Sequence, residues 1–270
     1  MLFKEKKCSN CQNNFDPTLE KCPFCENTNE SYRSNSVPKR VLFLHPLAQA
    51  GLFLGGFAYV GMLLTQLVVA LCIRNFFSST DITLKQTLLL TFTYLLMLVG
   101  LFAIPFFTRR QLFLSKYKKV LDYIYGIGYA VTLVCVGSIV NGLISLFYQV
   151  PSDNANQEAA ITIAKNYPII AFLILGVIGP ICEEFTYRIG LYSLLRRISK
   201  YLAIILTSVI FALIHFDFAS ENMIVELVAL PSYVISGLIL NIAYEHRGPA
   251  CSMTAHVLYN IFAFVLILLK

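Results

Sequence analysis

From about residue 41 onward the chain alternates apolar runs of roughly twenty residues or more with short polar breaks. A helix rising ~1.5 Å per residue crosses the hydrocarbon of a bilayer in about 20 residues. The pattern therefore predicts an all-α polytopic membrane protein of about seven transmembrane helices, near 49–73, 86–107, 122–147, 168–200, 201–219, 223–244 and 249–269. The fourth run is longer than one crossing needs, so its last turns are expected to bend along the inner surface as an amphipathic extension. The polar stretch 148–167 reads as an outer loop. Residues 28–40 lack any hydrophobic period and read as a linker ending at the headgroups, which divides a small N-terminal unit, 1–27, from a membrane domain, 41–270.

Composition supports the bilayer and little else. Hydrophobic residues make up 57% and charged residues 13%, with a mean hydropathy of +0.68, more apolar surface than a water-soluble domain of this length could enclose. Lys and Arg outnumber Asp and Glu by 21 to 15. These cations flank apolar runs rather than forming a patch, so nucleic acid is not an expected partner. Arg109, Arg110, Lys116, Lys118 and Lys119 fall between the second and third runs, which places that loop in the cytoplasm. Two crossings earlier, the N-terminus is then cytoplasmic too, in a multi-pass protein of the cell membrane. No cleavable signal peptide is expected, because a polar, cysteine-bearing segment follows the basic Met1–Lys7.

That segment carries Cys8-Ser9-Asn10-Cys11 and Cys22-Pro23-Phe24-Cys25. Four thiolates at this spacing can surround a tetrahedral zinc ion, and so short a unit has no core to fold around without one. Two disulfides are the alternative and require an oxidising compartment. The unit resembles the zinc ribbons that begin many bacterial membrane proteins, and four thiolates leave no open coordination position. It is expected to be structural or to dock a protein partner. Cys72, Cys135, Cys182 and Cys251 stand singly in apolar context and read as inert core thiols.

The chemistry lies in Gly179-Pro180-Ile181-Cys182-Glu183-Glu184-Phe185-Thr186-Tyr187-Arg188, in the middle of the fourth run. A charge at bilayer depth costs roughly 3 kcal/mol, so a Glu-Glu pair there needs a function. On a helix, Glu184 and Arg188 share a face at i and i+4, and Glu183 points away from them. Pro180 removes a helical donor just before the carboxylates and opens the helix locally. His215 and His256 fall inside later runs, with Phe211 one turn before the first and Asn260 one turn after the second. Hydrocarbon offers these groups no partners except one another. A carboxylate and an imidazole that share a water can take its proton, and an imidazole and a carboxamide one turn apart can donate to an oxyanion. Counted along the helices, however, His215 lies nearer the outer half of the bilayer than Glu183 and His256, a mismatch that tilt reduces. Glu226, near the start of its run, reads as a snorkelling or hydrogen-bonded residue, and Asp217 as the end of the preceding helix.

Glu183-Glu184-x-x-x-Arg188, Phe211-x-x-x-His215 and His256-x-x-x-Asn260, in this order on separate helices, resemble the motif set of the CPBP family of CAAX proteases and bacteriocin-processing enzymes, over about 168–264. The resemblance implies an intramembrane endopeptidase acting on a membrane-associated peptide or protein. Glu183 and His215 would activate water, His256 and Asn260 would hold the oxyanion, and Glu184 and Arg188 would brace the site. Two Glu and two His could also ligate zinc, but adjacent glutamates diverge on a helix, which suits a glutamate base better. The N-terminal ribbon and smaller span count depart from the eukaryotic pattern, so a prenylated substrate is not implied. The competing readings are a non-catalytic scaffold or self-immunity protein, and a transporter with a proton relay.

Overall fold

The computed structural model describes residues 6–16, 19, 21–27, 29, 40–57, 63–76, 82–148 and 154–269. The linker expected at 28–40 falls mostly outside them. Among the described residues the chain forms nine helices: α1 (Pro46–Gly56), α2 (Leu63–Phe76), α3 (Ile82–Ser115), α4 (Val120–Phe147), α5 (Ala155–Asn166), α6 (Pro168–Arg196), α7 (Lys200–Leu213), α8 (Met223–Arg247) and α9 (Pro249–Leu269). Two short antiparallel strands, β1 (Lys6–Lys7) and β2 (Asn14–Phe15), form the N-terminal unit.

Helices α3, α4, α6, α8 and α9 are long and apolar enough to cross a bilayer. Their outer faces carry bare apolar side chains such as Val99, Phe107, Ile127, Leu143 and Ile242, which would be untenable in water and fit lipid. This is a multi-pass membrane protein. α6 is sheathed by α1, α3 and α9, while α9 and α8 pack on α4, and α7 packs on α8.

Two of the seven expected crossings take another form. The run at 49–73 is two helices, α1 and α2, with residues 58–62 between them outside the described set. The run at 201–219 is α7, whose 14 residues stop at Leu213. At ~1.5 Å per residue that is about 21 Å, short of the ~30 Å hydrocarbon. The stretch expected as an outer loop contains α5, capped at its start by the Asn154 side chain, which accepts from the Gln157 N–H.

α1 is held close to α6 by small residues. A Cβ on Gly190 would sit 2.8 Å from the Phe53 nitrogen and 3.1 Å from the Gln49 carbonyl oxygen, so only glycine allows this approach. The Val41–Leu44 strap, just after the linker, is fully buried. The Val41 carbonyl accepts from Ser193 Oγ at 3.0 Å and from the Tyr244 hydroxyl at 3.2 Å.

The fourth run also differs at its inner end. α6 ends at Arg196, four residues before the expected Lys200. Arg196 makes a two-pronged ion pair with Glu245, and Arg197 donates to the Gln49 side chain, the Leu44 carbonyl and Asp16 of the N-terminal unit. Internal carboxylates and carbonyls thus take the place of headgroups. Phe24 of the same N-terminal unit lies under the Arg109 guanidinium, 5.3 Å from the ring centroid.

Candidate active site

Helix α6 is not a regular α-helix. Phe172–Ile178 and Glu184–Tyr192 are wound in the wider π form, with the Gly179 N–H bonded to the Ile174 carbonyl five residues back. In that register the next donor, residue 180, would serve the Leu175 carbonyl, and Pro180 has no N–H to give. Asn260 of α9 supplies the missing donor: its Nδ2 lies 3.1 Å from the Leu175 oxygen. The opening expected beside the carboxylates is therefore present as wide turns on both sides of Pro180, bridged by a side chain from another helix.

Glu184 and Arg188 pair at 3.3 Å, one turn apart, with side-chain exposures of 1% and 0%. The guanidinium carbon also lies 4.5 Å from the centroid of the Phe211 ring. His256 of α9 stands on the other side of Glu184, its Nδ1 2.9 Å from Oε1. Its Nε2 faces Glu183 Oε2 at 3.6 Å. One imidazole is thus flanked by both adjacent carboxylates, each reached through a different ring nitrogen. Glu183 differs from its neighbour in keeping 17% of its side chain exposed.

Phe211 joins the third helix to this group. Its ring lies 5.8 Å from the His256 ring, 5.6 Å from Tyr187 and 5.0 Å from His215. His215 sits two residues past the end of α7, in the turn that closes it. The last turn of α7 brings Phe211 against Tyr187 of α6 and His256 of α9, so the end of this helix meets the other two motifs. His215 Nδ1 is 2.9 Å from the Phe211 carbonyl. A carbonyl only accepts, so Nδ1 carries the hydrogen and Nε2 presents a lone pair.

At the N-terminal unit, the Sγ atoms of Cys8, Cys11, Cys22 and Cys25 all lie within 4.8 Å of one another, and none is in a disulfide. The Cys8–Cys25 and Cys11–Cys22 sulfurs are 3.6 and 3.5 Å apart. Tetrahedral thiolate zinc, with Zn–S of about 2.3 Å, needs sulfurs about 3.8 Å apart, so the donor set fits. The two knuckles repeat one design. Gln12 and Glu26, each following the second cysteine, adopt a left-handed φ of 59°, and their N–H groups bond back to the Cys8 and Cys22 carbonyls. A backbone N–H from Asn13 lowers the Cys11 thiol to about 6, and one from Cys11 lowers Cys8, whereas burial pushes Cys22 up to about 11. This is a four-cysteine group able to hold a metal ion.

Comparison with known proteins meets this geometry in the membrane. Residues 165–262, from the end of α5 to the middle of α9, match the family described as Type II CAAX prenyl endopeptidase Rce1-like. Over those residues the membrane core is similar to that family of CAAX endopeptidases. Over 143 residues the chain is 26% identical to the UPF0177 protein YvdC of Lactococcus lactis subsp. lactis (strain IL1403), covering 53% of this chain and 51% of that protein. The chain thus spans about half the length of this curated relative. No solved structure matches it.

Within the matched region, the six polar residues of the three motifs divide by access. Glu184, Arg188 and His256 are buried, while Glu183, His215 and Asn260 keep some exposure. Two further residues close on His215: Tyr233, whose ring is stacked 4.5 Å from the imidazole, and Asn154, which in turn donates to Glu226. The sequence offered a signal only for Glu226, a carboxylate inside an apolar run. Tyr233 and Asn154 look like ordinary interfacial residues until the fold brings 154 beside 215.

Proposed function

We propose that this chain is an intramembrane endopeptidase that hydrolyses a peptide bond of a membrane-associated protein or peptide. The observation that carries the reading is His256 between Glu183 and Glu184, with His215 joined to it through Phe211. The partly exposed pair, Glu183 and the Nε2 lone pair of His215, would position a water, and Glu183 would take its proton as the oxygen attacks the scissile carbonyl. His256, protonated on both nitrogens, would satisfy Glu184 through Nδ1–H and direct Nε2–H at the developing oxyanion. Asn260 gives one amide hydrogen to Leu175 and keeps the other for the same oxyanion. As the C–N bond breaks, the proton held on Glu183 passes to the leaving amine.

Glu184 and Arg188 would act as the brace that fixes His256. The role of Glu183 is read as a base rather than a zinc ligand, because Glu184, its neighbour on the helix, is taken up by Arg188 and His256 and diverges from it. The four cysteines are read as a structural zinc site, one ion per chain. The contacts of the N-terminal unit with Arg197 and Arg109 put it at the cation-rich end of the bundle. By the positive-inside rule that end is cytoplasmic in a cell membrane, where the unit is free to dock a protein partner.

Mass spectrometry of membrane-associated peptides from cells carrying the native chain or Glu183→Gln tests the reading. Peptides present with the native chain and missing with the variant support it and give the cut site. Identical peptide sets at equal expression would leave a packed polar network in a scaffold or immunity protein.

A further inference from the structure

The catalytic motifs leave a second buried carboxylate unexplained. Glu226 lies in the first turn of α8 with 1% exposure, and among the described residues neither oxygen meets a cation. Instead it gathers three neutral donors. Oε1 accepts from the Ala155 N–H at 2.9 Å, and Oε2 accepts from Asn154 Nδ2 and from the Asp217 N–H, both at 3.2 Å. A buried carboxylate held by dipoles alone is costly unless every donor is fixed, and here all three belong to segments that surround His215.

The connections are short. Asn154 Nδ2 reaches the His215 carbonyl at 3.2 Å as well as Glu226. Asn154 Oδ1 caps α5 and accepts from the Tyr233 hydroxyl at 3.3 Å. The Tyr233 ring lies against the His215 imidazole at 4.5 Å and 18°, close to parallel. Asp217, two residues beyond His215, is held by Glu226 through its main chain. His215 lies in the turn that closes α7, where its N–H bonds the Ala212 carbonyl at 3.0 Å and the regular helix ends. Its orientation comes from the Phe211 carbonyl on one side and from this cluster on the others.

The geometry points to Glu226 as the positioning residue for His215, acting through Asn154 and Tyr233 to set the imidazole plane and keep Nε2 aimed at the water; this rests on the peptidase reading above. The cluster joins the start of α5 to the start of α8 and the end of α7, two helices that already pack on each other. Displacing a catalytic group by about 1 Å costs on the order of 10²-fold in rate, which is the scale expected for loss of the cluster.

The test reads His215 itself, with and without turnover. The full-length protein, carrying isotope-labelled histidine, is reconstituted in lipid nanodiscs, and ring-nitrogen signals are assigned with His215→Gln and His256→Gln. In the native chain His215 should show one protonated and one bare nitrogen. Glu226→Ala should mix its two tautomers while the His256 signals, set by Glu184, stay in place. Glu226→Gln, which keeps one acceptor oxygen, should lie between, and Asn154→Ala should reproduce the effect if Glu226→Ala does not fold. An unmoved His215, or equal disturbance of His215 and His256, overturns the proposal. On peptides whose release depends on Glu183, Glu226→Ala should lower kcat on the order of 10²-fold with KM little changed. If His215 responds but no Glu183-dependent peptide exists, the peptidase reading fails and the positioning role stands.

Discussion

Glu184 and His256 are 72 residues apart in sequence and meet at 2.9 Å, where α6 and α9 cross. Glu184 is shared: the same oxygen faces Arg188 at 3.3 Å. A carboxylate between a guanidinium and an imidazole, closed off from solvent, fixes the charge balance of the whole group.

Removing that carboxylate leaves Arg188 as a buried charge without its counterion. Glu184→Gln is expected to lower stability by about 3–5 kcal/mol. Glu184→Gln combined with Arg188→Met should be closer to the native chain than Glu184→Gln alone, because the apolar replacement removes the stranded charge. Thermal unfolding of the detergent-solubilised protein, followed by intrinsic tyrosine fluorescence, checks both.

The Asn260–Leu175 bond gives a prediction in which stability and chemistry separate. Asn260→Ala strands the Leu175 carbonyl and should cost about 1–3 kcal/mol. Adding Pro180→Ala restores an N–H where the π register needs one and should recover part of that loss. Turnover should not recover, since removing an oxyanion donor costs about 10²–10³-fold and the backbone N–H cannot replace it.

Gly190 sets the distance between α1 and α6. With a Cβ placed 2.8 Å from the Phe53 nitrogen, Gly190→Ala must push α1 away, at an expected cost of about 1–3 kcal/mol. Hydrogen exchange should rise in α1 and the buried Val41–Leu44 strap before it rises in α9.

The cysteine cluster should follow the chemistry of thiolate ligands. The purified protein is expected to carry one zinc per chain by elemental analysis, to lose it to a strong chelator, and to release it as pH falls and protons compete for sulfur. Cys11→Ser should abolish retention. Because the unit has two two-residue strands and little else, its exchange protection should vanish with the metal while α6 and α9 stay protected. Zinc-free protein that keeps a protected N-terminal unit would contradict the assignment.

Much of this was legible in the chain, and the reasons differ by residue. Glu184 and Arg188 were paired by helical spacing alone, because i and i+4 share a face in any such helix. The five long helices followed from run length. The break of 49–73 into α1 and α2 and the early end of α7 did not, since hydropathy measures how apolar a segment is and not whether it crosses. His256 could be placed near Asn260, yet nothing local said that it would stand between the two glutamates; that comes from α9 packing on α6. Pro180 announced an opening, but the donor that closes it, Asn260, comes from 80 residues further on. Glu226 was visible as an anomaly and its partners were not, because a hydrogen-bonded cluster assembled from three elements leaves no periodic trace.

The most direct measurement uses water labelled with heavy oxygen. Purified native protein and Glu183→Gln are each incubated with the membrane fraction of cells that lack the chain, and the peptides formed are analysed by mass spectrometry. Direct hydrolysis predicts new C-termini carrying the heavy oxygen with the native protein and their loss, by at least 10²-fold, with the variant. Equal labelling from both proteins, or none from either, would contradict an enzyme that activates water at Glu183.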